Sequence, residues 1–248
     1  MDGHDIRGKR VVLTGAGRGL GRWLAHAFSE SGAIVTLVAR TEADLEEVAG
    51  ELPGRSLVCA GDVTDDTFND VVADAAVAEL GGVDVWICNA GISPVVGGPL
   101  ATPPAIWRQV LEVNLTGAFL GARAAARVMG DGGRLIFTGS VLGERPGRGL
   151  GAYSASKAGL VGLAKGLALD LAPQGITVNV VAPGWFDSPL AQGWKGNPKL
   201  ASRVLDHTAQ RRWGEAGDLV GAYRFLASDA SAFVTGTVLN VDGGYLLV

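Results

Sequence analysis

Within GAYSASKAGL, Gly151 to Leu160, a phenol and an ammonium stand four residues apart, at Tyr153 and Lys157. On a helix, residues at that spacing share one face, a turn apart. A free phenol, with a pKa of about 10, is a poor base at neutral pH. An ammonium within about 4 to 6 Å favours the phenolate and draws that value down. The pair can therefore pass a proton to or from an oxygen held against it. Ser140 ends the apolar run RLIFTGS upstream, and its hydroxyl can donate a hydrogen bond to an oxygen on which charge develops. The plainer alternative, an ordinary i,i+4 pair on the surface of a solvated helix, fits poorly with Ser140 and the glycine-rich segment described next.

That segment is VVLTGAGRGLGRWL, where Gly15, Gly17, Gly19 and Gly21 fall between an apolar run and a helical pattern. A strand-to-helix turn of this composition lets backbone N–H groups and the helix dipole meet a pyrophosphate. Leu20 stands where the third glycine of G-x-G-x-x-G would fall; the spacing is T-G-x-x-x-G-x-G instead. A tight turn with close helix packing is the competing reading.

The elements that must position these residues alternate regularly. RVVLTG, AIVTLVAR, SLVCAGD, VDVWICNAG, RLIFTGS, ITVNVVAPG and TVLNVDGG read as seven strands, separated by helical patterns. Short apolar runs without polar alternation predict a parallel sheet covered on both faces, hence a doubly wound α/β fold. Two long helices are expected, from about Pro103 to Met129 and from Gly151 to Leu171. Both are rich in Gly and Ala, which predicts close packing against the sheet, a subunit interface, or both on different faces. Residues from about 185 to 213 lack clean periodicity and are expected to form a mobile lid with one or two short helices. A chain of 248 residues with 48% hydrophobic content is read as one domain, 1–248.

Composition narrows the partners. A net charge of −4 offers no broad basic surface for nucleic acid. Cys59 and Cys88 lie in apolar runs, which argues for packing roles in a reducing compartment. His4, His26 and His207 are scattered, so no metal site is expected. The N-terminus is polar and no apolar run approaches the roughly 18 residues of a membrane span, so a cytoplasmic protein without membrane attachment is expected.

The motifs TGAGRGLG, NAG at Asn89 to Gly91, VNLTG around Asn114, Ser140, YSASK, APG at Ala182 to Gly184 and VDGG occur in one order over nearly the whole chain. In this it resembles the roughly 250-residue branch of the short-chain dehydrogenase/reductase family. Cys88 departs from the pattern, since many members carry a second Asn there. The resemblance implies a Rossmann-like fold and hydride transfer with a nicotinamide dinucleotide. It further implies a catalytic set of Asn114, Ser140, Tyr153 and Lys157. Tyr153 is then the general acid, Lys157 also bonds the nicotinamide ribose, and Asn114 helps a water join Lys157 to solvent. Read without the family, Asn114 is a satisfied polar residue between helices. By the same similarity Asp62 and Val63 hold the adenine edge, although Asp62 also suits an N-cap for a helix starting near Asp65. Asn89, Ala90 and Gly91 line the ribose and nicotinamide side, and Pro183, Gly184, Phe186 and Ser188 meet the carboxamide and phosphates.

About 20 residues beyond the glycine turn, an acidic residue would select NAD and an arginine NADP. The chain has Ala39 and then Arg40, with Arg18 inside the turn, so NADP(H) is preferred over NAD(H). Arg40 stacked on adenine, with Arg18 capping the turn, is the alternative. The small-molecule substrate is expected to meet Ser140, Leu142, Tyr153 and Trp185, in a pocket also lined by Ser93, Pro94, Val95, Val141, Glu144 and Trp194. Lys195, Lys199 and Arg203 either greet a carboxylate or carrier group or form a solvated helix face. The leading reading is a ketone reductase similar to 3-oxoacyl thioester reductases. A polyol or sugar-acid dehydrogenase is the runner-up, and a non-catalytic NADPH-binding regulator the remote alternative. The apolar end VDGGYLLV and the small-residue helices point to a homo-oligomer, by family habit a homotetramer.

Overall fold

Each of the seven apolar runs forms a strand: β1 (Arg10–Thr14), β2 (Ile34–Ala39), β3 (Ser56–Ala60), β4 (Val83–Cys88), β5 (Met129–Thr138), β6 (Thr177–Pro183) and β7 (Val238–Val241). The computed structural model describes residues 3–94 and 99–248. The strands make one sheet in the order β3-β2-β1-β4-β5-β6-β7, parallel throughout. Successive side chains on a strand point to opposite faces, and the two faces bury separate cores. Val12, Trp86, Leu135, Phe137, Val178 and Val180 face one way, while Leu13, Val35, Leu37, Val85, Ile87 and Ile136 face the other.

The first core is covered by α3 (Phe68–Leu80), α5 (Gly117–Val128) and α6 (Gly151–Leu171). The second is covered by α1 (Gly19–Glu30), α2 (Glu42–Glu51) and α9 (Ala216–Ala227). The result is the expected doubly wound, Rossmann-like domain. Small residues let α5 lie close to the sheet: a Cβ on Gly121 would stand 3.1 Å from Trp86 Nε1 and 3.3 Å from Cys88 Sγ. On α6, by contrast, Gly162 and Gly166 face open space and Leu169 is exposed.

Helix α6 has the limits expected of it, whereas the first long helix does not. It divides into α4 (Pro104–Leu111), a wider π-helical turn over Glu112–Thr116, and α5. Asn114 lies inside that turn with its side chain buried; such turns often mark functional sites. Strand β5 also begins earlier than RLIFTGS suggests, because Met129 pairs with Val83 before the register shifts at Val85. Between β6 and α9 lie α7 (Gln192–Lys195) and α8 (Pro198–Asp206), the two short helices expected over 185–213. Asn197 caps α8, its Oδ1 accepting from the amides of Lys199 (3.1 Å) and Leu200 (3.4 Å). No helix among the described residues is long and apolar enough to cross a membrane.

Candidate active site

Strand order reverses between β1 and β4, and open α/β sheets place ligands at the strand C-termini beside such a reversal. There Asn89 Nδ2 donates to the carbonyls of Thr14 (3.0 Å) and Gly15 (3.3 Å). Thr14 Oγ1 accepts from the amides of Asn89 (2.9 Å) and Ala90 (3.1 Å). This lacing holds the glycine turn against the NAG segment so closely that a Cβ on Gly15 would lie 2.9 Å from Ala90 Cα, and its φ of 69° also calls for glycine. A Cβ on Gly21 would fall 2.0 Å from the Gly15 carbonyl oxygen.

A single cleft of about 870 Å³ opens above this floor. It is lined by Gly15, Gly17, Arg18, Gly19, Leu20 and Gly21 from the turn, by Arg40, Asp62 and Val63 after β2 and β3, and by Asn89, Ala90 and Gly91 after β4. Pro183, Gly184, Trp185, Phe186 and Ser188 line it after β6, and Ser140, Leu142, Tyr153 and Lys157 from β5 and α6. The expected catalytic and cofactor-binding residues other than Asn114, with Leu142 and Trp185 of the expected substrate contacts, are therefore on its walls.

The turn suits a phosphate group. Helix α1 starts without a side-chain cap at Arg18 and without an acidic residue in its first turn, so its end amides and dipole are available to an anion. Arg18 and Arg40 are exposed in the cleft and unpaired among the described residues. Sequence reasoning missed Asp44, which shares this end: a Cβ on Gly17 would lie 3.0 Å from its Cβ. The acid of the RTEAD stretch was the available signal. Asp62 does not cap α3. Its Oδ1 accepts from the amide (3.0 Å) and hydroxyl (2.8 Å) of Thr64, while Asp65 Oδ1 takes the amides of Thr67 (2.8 Å) and Phe68 (3.1 Å) at the helix start.

The catalytic candidates meet on the opposite wall. Ser140 is half-buried, and its Oγ accepts from the Leu142 amide at 3.1 Å, leaving its proton free to donate into the cleft. Lys157 is buried; its Nζ donates to the Thr138 carbonyl at 2.7 Å and lies 5.6 Å from the centre of the Tyr153 ring. Burial holds the Lys157 pKa down to about 8. The expectation that Lys157 lowers the Tyr153 pKa is not met by the protein's own surroundings: burial of the phenol pushes it up, and the neighbouring Ser140 hydroxyl offsets only part of that. A raised value keeps the phenol protonated at neutral pH, as an acid requires.

Asn114 is fully buried behind this wall rather than on it. Its Oδ1 accepts from the Ile92 amide (2.8 Å), and its Nδ2 donates to the Ile92 carbonyl (3.0 Å) and Ser156 Oγ (3.0 Å). It is thus a satisfied clasp, yet a Cβ on Gly91 would lie 3.3 Å from its Oδ1 and 3.5 Å from Lys157 Nζ, so both groups border the same point. Beneath them the Thr138 hydroxyl joins Tyr223 OH (2.7 Å) and Asn89 Oδ1 (3.2 Å), a buried link from α9 to the cleft floor that the sequence did not announce. Cys88, the departure from the family pattern, donates from Sγ to the Ala118 carbonyl at 3.5 Å. Both cysteines are free thiols.

The far end is apolar. Trp185 and Trp194 pack at 4.8 Å and 52°, joined by Trp213 and Tyr245 edge-on to Trp185. The Trp185 indole N–H is buried and has no hydrogen-bond partner among the described residues. Ser93, Val141 and Leu142 line this end as expected, with Leu150, Leu190 and Leu200 in addition. Pro94 and Glu144 are exposed and do not line it, and Val95 lies outside the described residues. Lys195 is not a free cation, because its ammonium pairs with Asp187. Lys199 and Arg203 sit on the exposed side of α8, in keeping with a solvated face. Part of the apolar tail is covered: Tyr245 and Leu246 pack with Val141, Leu142 and Leu150, while Leu247 stays exposed.

Known proteins resemble the chain over nearly its whole length. A family model described as Enoyl-(Acyl carrier protein) reductase matches residues 15–246. The 3-oxoacyl-(acyl-carrier-protein) reductase FabG of Escherichia coli (strain K12) is 34% identical over 246 residues, covering 98% of this chain and all of that one. The cis-4-hydroxycyclohexanecarboxylate dehydrogenase of Sinomonas cyclohexanicum is 36% identical over 250 residues, covering 99% and 100%. Among solved structures, a putative NAD(P) dependent gluconate 5-dehydrogenase from Beutenbergia cavernae, with bound NADP at low occupancy, superposes with a TM-score of 0.93 at 35% identity over 99% of this chain and 100% of that one. With its parallel seven-stranded sheet, its glycine turn at the strand reversal and this likeness from end to end, the chain belongs to the short-chain dehydrogenase/reductase family and is an NAD(P)-dependent oxidoreductase.

Proposed function

We propose that the protein reduces a ketone to a secondary alcohol with NADPH. The observation that carries the reading is the meeting of Ser140, Tyr153 and Lys157 on one cleft wall, opposite a glycine turn whose helix start is open to an anion. A bound nicotinamide supplies the hydride to the carbonyl carbon. Ser140 donates a hydrogen bond to the carbonyl oxygen as charge builds there. Tyr153, kept protonated by burial, delivers its proton to that oxygen. Lys157 carries charge beneath the ring at neutral pH and has N–H groups left for the nicotinamide ribose beyond its bond to Thr138. Asn114 holds Ile92 and α6 in place beside Lys157, keeping open the point at Gly91 where a relay water can stand.

The preference for NADP(H) rests on Arg18 and Arg40, two unpaired guanidinium groups at the adenosine end able to fork a 2′-phosphate. Residues 185–213 act as the lid over the substrate end. The open small-residue face of α6, with exposed Leu169 and Phe119 on α5, suits burial in a homotetramer. Oxidation of a ring alcohol or polyol by the same groups run backwards is the second reading, favoured by the likeness to the Sinomonas and Beutenbergia dehydrogenases.

Tyr153→Phe tests the assignment. NADPH binding, read by fluorescence titration, should be retained while turnover falls by about 10²- to 10⁴-fold. Turnover near the wild-type level would remove Tyr153 from the role of acid.

A further inference from the structure

The cleft changes chemistry along its length. Among the described residues, its charged lining side chains are Arg18, Arg40, Asp44, Asp62 and Lys157. The first four follow β1, β2 and β3, and Lys157 lies under Tyr153. Beyond Tyr153 the described lining is carried by Val141, Leu142, Leu150, Trp185, Leu190 and Trp194, without a charged side chain. Residues 95–98, outside the described set, are Val, Val, Gly and Gly and so carry no charge wherever they sit.

The cations nearest in sequence to these walls are engaged elsewhere or stand outside the cleft. Lys195, next to Trp194, pairs with Asp187. Arg145 donates to the carbonyls of Tyr245 (2.9 Å) and Val248 and lies 5.3 Å over the Tyr245 ring. Arg148, Lys199 and Arg203 are exposed and line no part of it. A carboxylate or phosphate brought here would lose water and meet no cation, whereas a neutral apolar group would gain contact with the indoles.

We propose that the substrate is a neutral ring-bearing ketone, or the matching secondary alcohol, held by apolar and aromatic contact and not by ion pairing. This specifies the substrate class of the reductase reading above and rests on it. It sets aside sugar acids, whose carboxylate stands within a few bonds of the reacting carbon and would enter the charge-free end.

A matched pair isolates charge from shape: 4-oxocyclohexanecarboxylate and its methyl ester, each followed by NADPH consumption with the wild-type enzyme. The ester should exceed the acid in kcat/KM by about 100-fold, since the acid must desolvate a carboxylate without compensation. Trp194→Ala should lower kcat/KM for the ester by about 10-fold, because the ring loses its contact with the indole. Equal or better use of the acid overturns the proposal. If neither compound is reduced, the reductase reading fails, and quenching of tryptophan fluorescence in the presence of NADP then decides the substrate class separately. Saturable quenching by the ester and none by the acid sustains a neutral-ring site. Quenching by the acid, or by neither, overturns it.

Discussion

Replacing Asn114 by Ala separates the two roles open to that residue. The substitution removes three hydrogen bonds, two to the peptide groups of Ile92 and one to Ser156 Oγ. Ser156 keeps its own donated bond to the Tyr153 carbonyl at 2.7 Å, so its loss is small. The Ile92 N–H and C=O are part-buried and lose their partner, at about 1 to 3 kcal/mol each where water cannot replace it. Partial access to water places the sum near the lower end, at about 3 kcal/mol, which for a chain of this size lowers Tm by roughly 6 to 12 °C. Thermal unfolding at fixed protein concentration, with and without NADPH, reads this directly. Because the clasp holds the segment after Gly91, KM for NADPH should rise together with the fall in Tm. A Tm within about 2 °C of wild type, accompanied by a large loss of kcat alone, would refute the clasp and leave only the proton relay.

The other predictions concern charge and assembly. Lys157 has a folded pKa of about 8 against an unfolded value of about 10.4, so between those values the unfolded chain binds more protons and stability rises with pH. Urea unfolding from pH 7.5 to 9.5 should show that rise in the wild type and a smaller one in Lys157→Met; equal slopes would contradict the burial argument. Arg40→Ala should raise KM for NADPH by roughly 10- to 100-fold, the worth of a charge-assisted fork, and leave KM for NADH nearly unchanged. A wild-type preference for NADH would undo the cofactor assignment altogether. Native mass spectrometry should find four copies, and a monomer would leave the exposed Leu169 face unexplained.

How much of this could be read from sequence depended on whether local chemistry or tertiary contact decided the outcome. The strands and α6 were legible because apolar runs and glycine turns specify them locally, and the glycine turn itself follows from steric demands at Gly15 and Gly21. The π-helical turn was not legible, because nothing in EVNLT forbids an ordinary helix; the widening accompanies an Asn114 side chain that clasps Ile92 and Ser156. The direction of the Tyr153 shift was missed for a related reason: residue spacing reports which charge is near but not how deeply the phenol is buried. Asp44 and Tyr223 reach the site from α2 and α9, and no motif in either stretch signals contact with the cleft. The pocket expectations that failed, Pro94 and Glu144, were sequence neighbours of real lining residues whose own side chains turn outward.

The lacing between Thr14 and Asn89 has a dynamic consequence. Its donors and acceptors join adjacent parallel strands at the base of the cleft, so opening there must break several bonds at once. Amides of Asn89 and Ala90 should therefore rank among the slow hydrogen exchangers, while those of α7 and α8, which rest on few buried side chains, should exchange rapidly. If residues 185–213 act as the proposed lid, passage of molecules is governed from that side, and differences in dwell time among substrates should map to the segment bearing Trp194 and Leu200 and not to the laced floor.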